Sequence, residues 1–238
     1  MTLPRTAIWK SIAATLAEEI ARGHWGVGER LPTEAELSAR FGVNRHTVRR
    51  SLAALGEEGL VHSRRGAGVF VAGRPTDYPI GRRVRFHQNL RAAGRLPEKE
   101  ILTVATRLAD AEEAEALDLA RRAEVHAYEG LSLADGQPIA LFRSVFPAAR
   151  FPDLPRHLIE ERSVTAALAR GGVADYTRAS TKLAAVPASP TQGLHLRLPE
   201  GSPLLRSVSV NIDTAGRPVE YGHTWFAGDR VTLTVEPD

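Results

Sequence analysis

The sequence predicts an α+β protein in two units: a short helical one closed by a two-stranded hairpin, and a larger one built on an antiparallel sheet. Three observations predict it. In the first 74 residues apolar side chains recur at helical spacing in three runs, and a glycine-rich hairpin pattern follows. Beyond residue 82 the dominant pattern is period-two alternation broken by turn residues such as Asp135-Gly136 and Asp213 to Gly216. The length, 238 residues, suits two cores of roughly 70 and 160 residues.

Ile8, Ile12, Leu16 and Ile20 stand four apart, with Trp9 and Ala13 beside them, which predicts an amphipathic helix over 6 to 22 stopped by Gly23. A turn-rich stretch runs to Pro32. Thr33-Glu-Ala-Glu36 then forms a capping box, whose threonine and Glu36 satisfy each other's orphan amides and start a second helix. Leu37 and Phe41 supply its buried face, Gly42 ends it, and Asn44 caps a third helix from Arg45 to about Glu58. A three-residue turn between two helices is the spacing of a helix-turn-helix, in which the second helix projects its N-terminal end. Val48, Leu52 and Leu55 must face the core, which leaves His46 and Arg50 on the far side and Arg49 at the flank. Arginine there has a specific use: a guanidinium donates two hydrogen bonds to guanine in the major groove, worth about 1–3 kcal/mol of discrimination. Residues 60 to 63 and 69 to 72 read as two strands joined by Arg64-Arg-Gly-Ala-Gly68, a wing whose arginines suit phosphates and whose glycines permit close approach.

Residues 74 to 81, rich in proline and glycine, read as a linker, so the predicted units are 1–73 and 82–238. The second opens with a short helix near Arg85 to Ala93, an extended Lys99 to Thr106 and a helix over Asp110 to Leu119. Hairpins follow over 125–146 and 208–226, a last strand over 231–235, and helices over 164–170 and 189–196.

Residues 1–74 hold 11 Lys/Arg against 7 Asp/Glu, a balance of +4, and the remainder 20 against 21, a balance of −1. The basic excess therefore sits with the helix-turn-helix. No long uncharged apolar run predicts a membrane span and nothing predicts export, so a cytoplasmic location is expected. There is no cysteine, which excludes disulfides and thiolate chemistry. The eight histidines show no His-x-His or His-x-x-x-His spacing and no Gly-x-Ser-x-Gly elbow occurs, so no metal, no cofactor and no catalytic residue is expected.

Leu31-Pro-Thr-Glu-x-Glu-Leu37, Phe41-Gly-Val-Asn-Arg-x-Thr-Val-Arg49 and Gly59-Leu-Val-x-x-Arg-x-Gly-x-Gly-Val-Phe-Val71 resemble the winged helix-turn-helix of the GntR family of transcriptional regulators. In that family, residues matching Arg45, Thr47, Arg49 and Gly66 contact DNA. The candidate DNA-binding set is Thr33, Glu34, Asn44, Arg45, His46, Thr47, Arg49 and Arg50, with Arg64, Arg65, Gly66 and Gly68 of the wing. The remainder resembles the chorismate-lyase-like (UTRA) effector domain of the HutC subfamily. Arg74-Pro-Thr-Asp-Tyr-Pro79, Phe86-His-Gln-Asn-Leu90 and Asn44-Arg-His-Thr47 look most like the phosphonate-metabolism regulators of the PhnF type. The resemblance implies a homodimer that represses by reading an inverted-repeat operator in double-stranded DNA, relieved by a small-molecule effector such as a phosphonate or another anion. A regulator of sugar, amino-sugar or histidine catabolism is the alternative, and a lyase activity in the C-terminal domain a remote one.

Many HutC-type domains carry an Arg-x-Arg pair before the Asp-Gly turn, where two guanidiniums grip an anion; here Gly130 and Ser132 stand instead. The candidate effector site is therefore Phe86, Ser163, and Arg143, Arg178 and Lys182 as substitute cations. Ser144 and Tyr221 would donate hydrogen bonds, and Glu220 matches a family acidic position.

Overall fold

A computed structural model describes residues 7–64, 66–72, 75–83, 86–92 and 94–235. The chain divides into two compact units, Met1–Arg74 and Pro75–Asp238.

In the first unit, α1 (Ile8–Ala21), α2 (Glu34–Phe41) and α3 (Arg45–Glu57) precede the antiparallel hairpin of β1 (Val61–Arg64) and β2 (Gly68–Val71). The helix boundaries follow local chemistry. Thr33 accepts from the Glu36 backbone amide while the Glu36 carboxylate takes the Thr33 amide at 2.7 Å. Gly42 ends α2 at φ 62°, ψ 34°, a left-handed pair that glycine adopts without a Cβ clash. Ile12, Leu16, Leu37, Val48, Leu52 and Leu55 converge on one core with Leu31, Val61 and Val71. Ile8, expected on the buried face, is 62% exposed, because burial along α1 begins one turn later at Ile12. The turn-rich stretch before α2 lies along β2, with Leu31 N–H donating to Val69 O at 2.8 Å and Val71 N–H to Glu29 O at 2.9 Å. These bonds seal Leu31 into the core.

The second unit contains β3 (Thr76–Pro79), α4 (Phe86–Ala92), β4 (Pro97–Leu108), α5 (Ala111–Ala116), β5 (Glu124–Ala134) and β6 (Gln137–Pro147). It continues with α6 (Leu154–Glu161), α7 (Val164–Arg170), β7 (Tyr176–Pro187), α8 (Pro190–Leu196), β8 (Pro203–Asp213), β9 (Pro218–Ala227) and β10 (Val231–Thr234). Six strands form an antiparallel sheet in the order β4-β5-β6-β9-β8-β7. One face packs on α6 and α7 through Tyr128, Phe142, Phe146, Leu158 and Leu168. The other packs on α5 through Leu117, Val145 and Tyr221, and on α8 through Leu133 and Leu196.

Residues 74–81 are not simply a linker. Thr76–Pro79 form β3, parallel to β10, with Thr76 and Tyr78 buried and Asp77 and Pro79 exposed. Its partner lies some 150 residues on, so no local pattern announces the pairing, and Pro79 is tolerated because it ends a strand paired on one side only. The sequence pattern also did not single out α6 or β7. The latter, Tyr-Thr-Arg-Ala-Ser-Thr-Lys-Leu-Ala-Ala-Val-Pro, is an edge strand of small and polar residues with little alternation.

The hairpin of β8 and β9 is locked at its turn by Asp213, whose side chain is 7% exposed. Its carboxylate accepts from the amides of Ala215 at 2.8 Å and Arg217 at 2.9 Å, and pairs with Arg150 and Arg217. Burial pushes the carboxyl up, but the Arg217 amide, Arg150 and the Ala215 amide outweigh it and bring the pKa down to about 2. A carboxyl depressed on folding adds stability above its unfolded pKa near 3.9 and loses it as pH falls through the folded value. Asp213→Asn is therefore expected to lower the sheet unit's stability at neutral pH by about 1–2 kcal/mol, allowing for screening at a turn. In thermal melts the gap from the parent protein should close between about pH 4 and about pH 2. A gap that is absent at neutral pH would refute the assignment.

Candidate functional site

The first unit presents the N-terminal end of α3. Val48, Leu52 and Leu55 are buried beneath it, while Arg45, His46, Arg49 and Arg50 are exposed. Asn44 Oδ1 accepts from the Thr47 amide at 2.9 Å and from its hydroxyl at 3.0 Å, so both side chains hold the helix start. Thr33 is likewise committed to its capping box, donating to Glu36 at 2.8 Å. Arg49 donates from Nε to Glu34 Oε1 at 3.1 Å and from Nη2 to Oε2 at 2.8 Å. Its hydrogen bond holds the Glu34 carboxyl below the usual range. Glu34 thus acts on the surface through Arg49: the fork occupies one edge of the guanidinium through Nε and Nη2 and fixes its plane. Arg50 is differently placed, with its guanidinium 4.5 Å above the Trp9 ring of α1.

In the wing Gly66 has φ 75° and Gly68 φ 115°. A Cβ on Gly68 would come 2.7 Å from Arg30 Nε, so the missing side chain leaves room for the Arg30 guanidinium along the hairpin. Arg30 is not in the candidate set; its signal is an arginine one residue before the Leu-Pro-Thr-Glu motif. Arg65 lies outside the described residues, and Arg64 is described in its backbone only.

The second unit holds an open-sided cavity of about 810 Å³ between the sheet face and α4 with the start of α7, a size suited to a small ligand. Cross-strand pairs build its floor: Lys99 opposite Ser132, Gly130 opposite Phe142, Phe142 opposite Thr224, and Asn211 opposite Glu220. A buried polar chain crosses it. Ser144 Oγ donates to Glu220 Oε1 at 2.6 Å, Asn211 Nδ2 donates to Glu220 Oε2 at 2.7 Å, and Arg178 Nε donates to Asn211 Oδ1 at 3.3 Å. Ser163 lines the roof and caps α7 through the Ala166 amide at 3.3 Å.

Phe86, Ser144, Ser163, Arg178 and Glu220 of the candidate set line this cavity. Arg143, Lys182 and Tyr221 do not, and each has a strand-geometric reason. Arg143 and Tyr221 neighbour Ser144 and Glu220 in sequence, so the pleat turns them to the opposite face. There Arg143 pairs with Glu129 at 2.7 Å and the Tyr221 hydroxyl donates to Glu112. Lys182 would share Arg178's face by simple alternation, but an irregularity between Arg178 and Ser180 shifts the parity. Lys182 and Tyr221 line a separate cavity of about 460 Å³ beside α5. The candidate set missed Lys99, Ser132, Asn211 and His87, which the alternation of β4, β5 and β8 and the neighbour of Phe86 could have supplied. Among the described residues no group of three or more His, Asp or Glu could hold a metal ion, and no helix is long and apolar enough to cross a membrane.

Residues 9–71 match the family described as bacterial regulatory proteins, gntR family, and residues 92–232 match the UTRA domain. The chain is similar to an uncharacterized HTH-type transcriptional regulator of Rhizobium meliloti (strain 1021), 39% identical over 97% of this chain and 95% of that one. It is also similar to the probable transcriptional regulator PhnF of Escherichia coli (strain K12), 34% identical over 96% of this chain and 94% of that one. The crystal structure of PhnF from Mycobacterium smegmatis superposes with a TM-score of 0.66 at 25% identity, covering 95% of this chain and 99% of that chain. These matches are transcriptional regulators rather than enzymes, which sets the lyase alternative aside.

Proposed function

Because this chain belongs to the GntR family of bacterial transcriptional regulators and carries a UTRA domain, we propose that it represses genes of phosphonate uptake or breakdown and releases its operator when a small anionic effector occupies the second unit. The observation that carries this reading is the pairing, in one chain, of an exposed guanidinium preset by Glu34 with a ligand-sized cavity whose lining holds more cations than carboxylates. Similarity to PhnF supports the phosphonate assignment.

Residues 1–73 act as the DNA-binding unit and the second unit, with β3 at its start, as the effector-binding and dimerisation unit, in the cytoplasm. In a two-fold dimer the two α3 helices read half-sites of an inverted repeat, since protein symmetry maps onto palindromic DNA. The effector weakens DNA binding only by its differential affinity for the free and bound states, typically about 1–3 kcal/mol, or roughly 5- to 150-fold.

The test is fluorescence anisotropy of the full chain on its own upstream DNA at several salt concentrations, with a panel of phosphonates and sugar phosphates. Salt-sensitive binding relieved by a phosphonate is expected. Relief by a sugar phosphate alone would move the pathway assignment, and no specific site in a random-sequence selection would sink the regulator reading.

A further inference from the structure

Lys99 on β4 reaches into the cavity floor, where its Nζ lies 3.7 Å from the Phe142 ring centroid and 4.6 Å from that of Phe86. Among the described residues its donors meet no carboxylate or carbonyl oxygen. Glu220, the nearby acid, has its two oxygens engaged by Ser144 and Asn211 and reaches Lys99 through charge alone. Arg178 donates to Asn211 from Nε alone and lines the same cavity, so its terminal nitrogens are placed to share an anion with Lys99. Lys99 is thus a half-buried cation seated against two ring faces, with no hydrogen-bond partner among the described residues and a ligand-sized space in front of it.

Gly130 explains why the lysine has this place. A Cβ at 130 would lie 2.3 Å from Glu100 O and 2.8 Å from the Phe142 ring. Any larger residue, arginine included, would displace the ring that seats Lys99. The volume is filled by Phe142 and the ammonium it carries, so a guanidinium at 130 and this lysine seat exclude each other.

We propose that Lys99 is the anchor for the effector's oxyanion, a phosphonate, phosphate ester or carboxylate group held by one ammonium between two aromatic rings, with Arg178 sharing it, instead of by a pair of arginines. The assignment rests on the effector reading above and names the group that recognises the ligand.

A pH dependence follows. The groups that face Lys99 are Tyr78 on β3, His87 and Arg91 on α4, Tyr176 and Arg178 on β7, and Glu220 on β9. Burial brings the Lys99 ammonium down to about 8, partly offset by Glu220. Burial also pushes His87 below its ordinary value and Tyr78 well above its own. Lys99 attracts an anion only when protonated, so its contribution to affinity is full about one unit below pH 8, half at about pH 8, and falls up to about tenfold per unit above it.

The experiment is calorimetric titration of the full chain with methylphosphonate, inorganic phosphate and acetate at about pH 7 and about pH 9.5. K99M keeps an unbranched apolar stem and removes the charge, and a melting temperature at or above that of the parent confirms that it folds. At least one probe is expected to bind the parent, at least about tenfold more weakly at the higher pH, with a loss of about 30-fold or more in K99M. Equal binding by parent and K99M, or no binding of any probe to the parent, overturns the assignment. Operator binding is measured separately. Its failure in the parent would sink the regulator reading while the titration still reports on Lys99.

Discussion

Arg49→Ala is expected to abolish sequence-specific DNA binding at physiological salt. The side chain is 67% exposed, and nothing in the core depends on it. Its guanidinium is nevertheless not free to wander, because Glu34 fixes one edge through two hydrogen bonds. An arginine presented with its plane preset loses less rotamer entropy on meeting a base, and a base contact is worth about 1–3 kcal/mol. In the proposed dimer the loss is counted in both half-sites, so affinity should drop by about 30-fold to 10⁴-fold. Arg49→Lys should not restore it, since an ammonium cannot bond bidentately to guanine and Glu34 at once. Anisotropy against operator and scrambled DNA distinguishes base reading from phosphate neutralisation. Loss of a base contact lowers the preference for operator and leaves the salt slope nearly unchanged, whereas loss of a phosphate contact in each half-site lowers the slope by about 2. Retention of operator affinity within about threefold would remove Arg49 from the recognition surface.

Leu37→Ala should unfold the first unit without touching the second. Leu37 is fully buried in α2 and packs in the core that α1, α3 and the hairpin share. Truncating a buried leucine costs about 2–5 kcal/mol through lost burial and the cavity left behind. A unit of roughly 70 residues has a total stability near the low end of about 5–15 kcal/mol, so the loss takes most of it. Circular dichroism and limited proteolysis of the full chain should show cleavage within residues 7–72 and an unchanged melt for the sheet unit. A first unit that melts within a few degrees of the parent would mean that the core tolerates the cavity.

The helix-turn-helix was legible because its signals are local. Thr33 with Glu36, Gly42 in the left-handed region and Asn44 with Thr47 each act within four residues of chain, and Val48, Leu52 and Leu55 declare their face by spacing alone. The hairpins over Asp135-Gly136 and Asp213 to Gly216 were legible for the same reason. The effector cavity was legible in part. Phe86, Ser144, Ser163, Arg178 and Glu220 line it, but Arg143 and Tyr221 sit one residue off parity, and Lys182 sits beyond the irregularity at Arg178 to Ser180.

Local sequence determined where α2 and α3 start and where α2 stops, which face of α3 stays outside, and where the hairpins turn. Tertiary structure decided that residues 76–79 are a strand, that α6 and β7 exist, and that Lys99 becomes a half-buried cation between two rings. Caps and periodicity arise from hydrogen bonds and contacts between near neighbours, which any short window contains. Strand pairing, the parity of a face past a bulge and the loss of water around a charge depend on a partner segment far away in the chain.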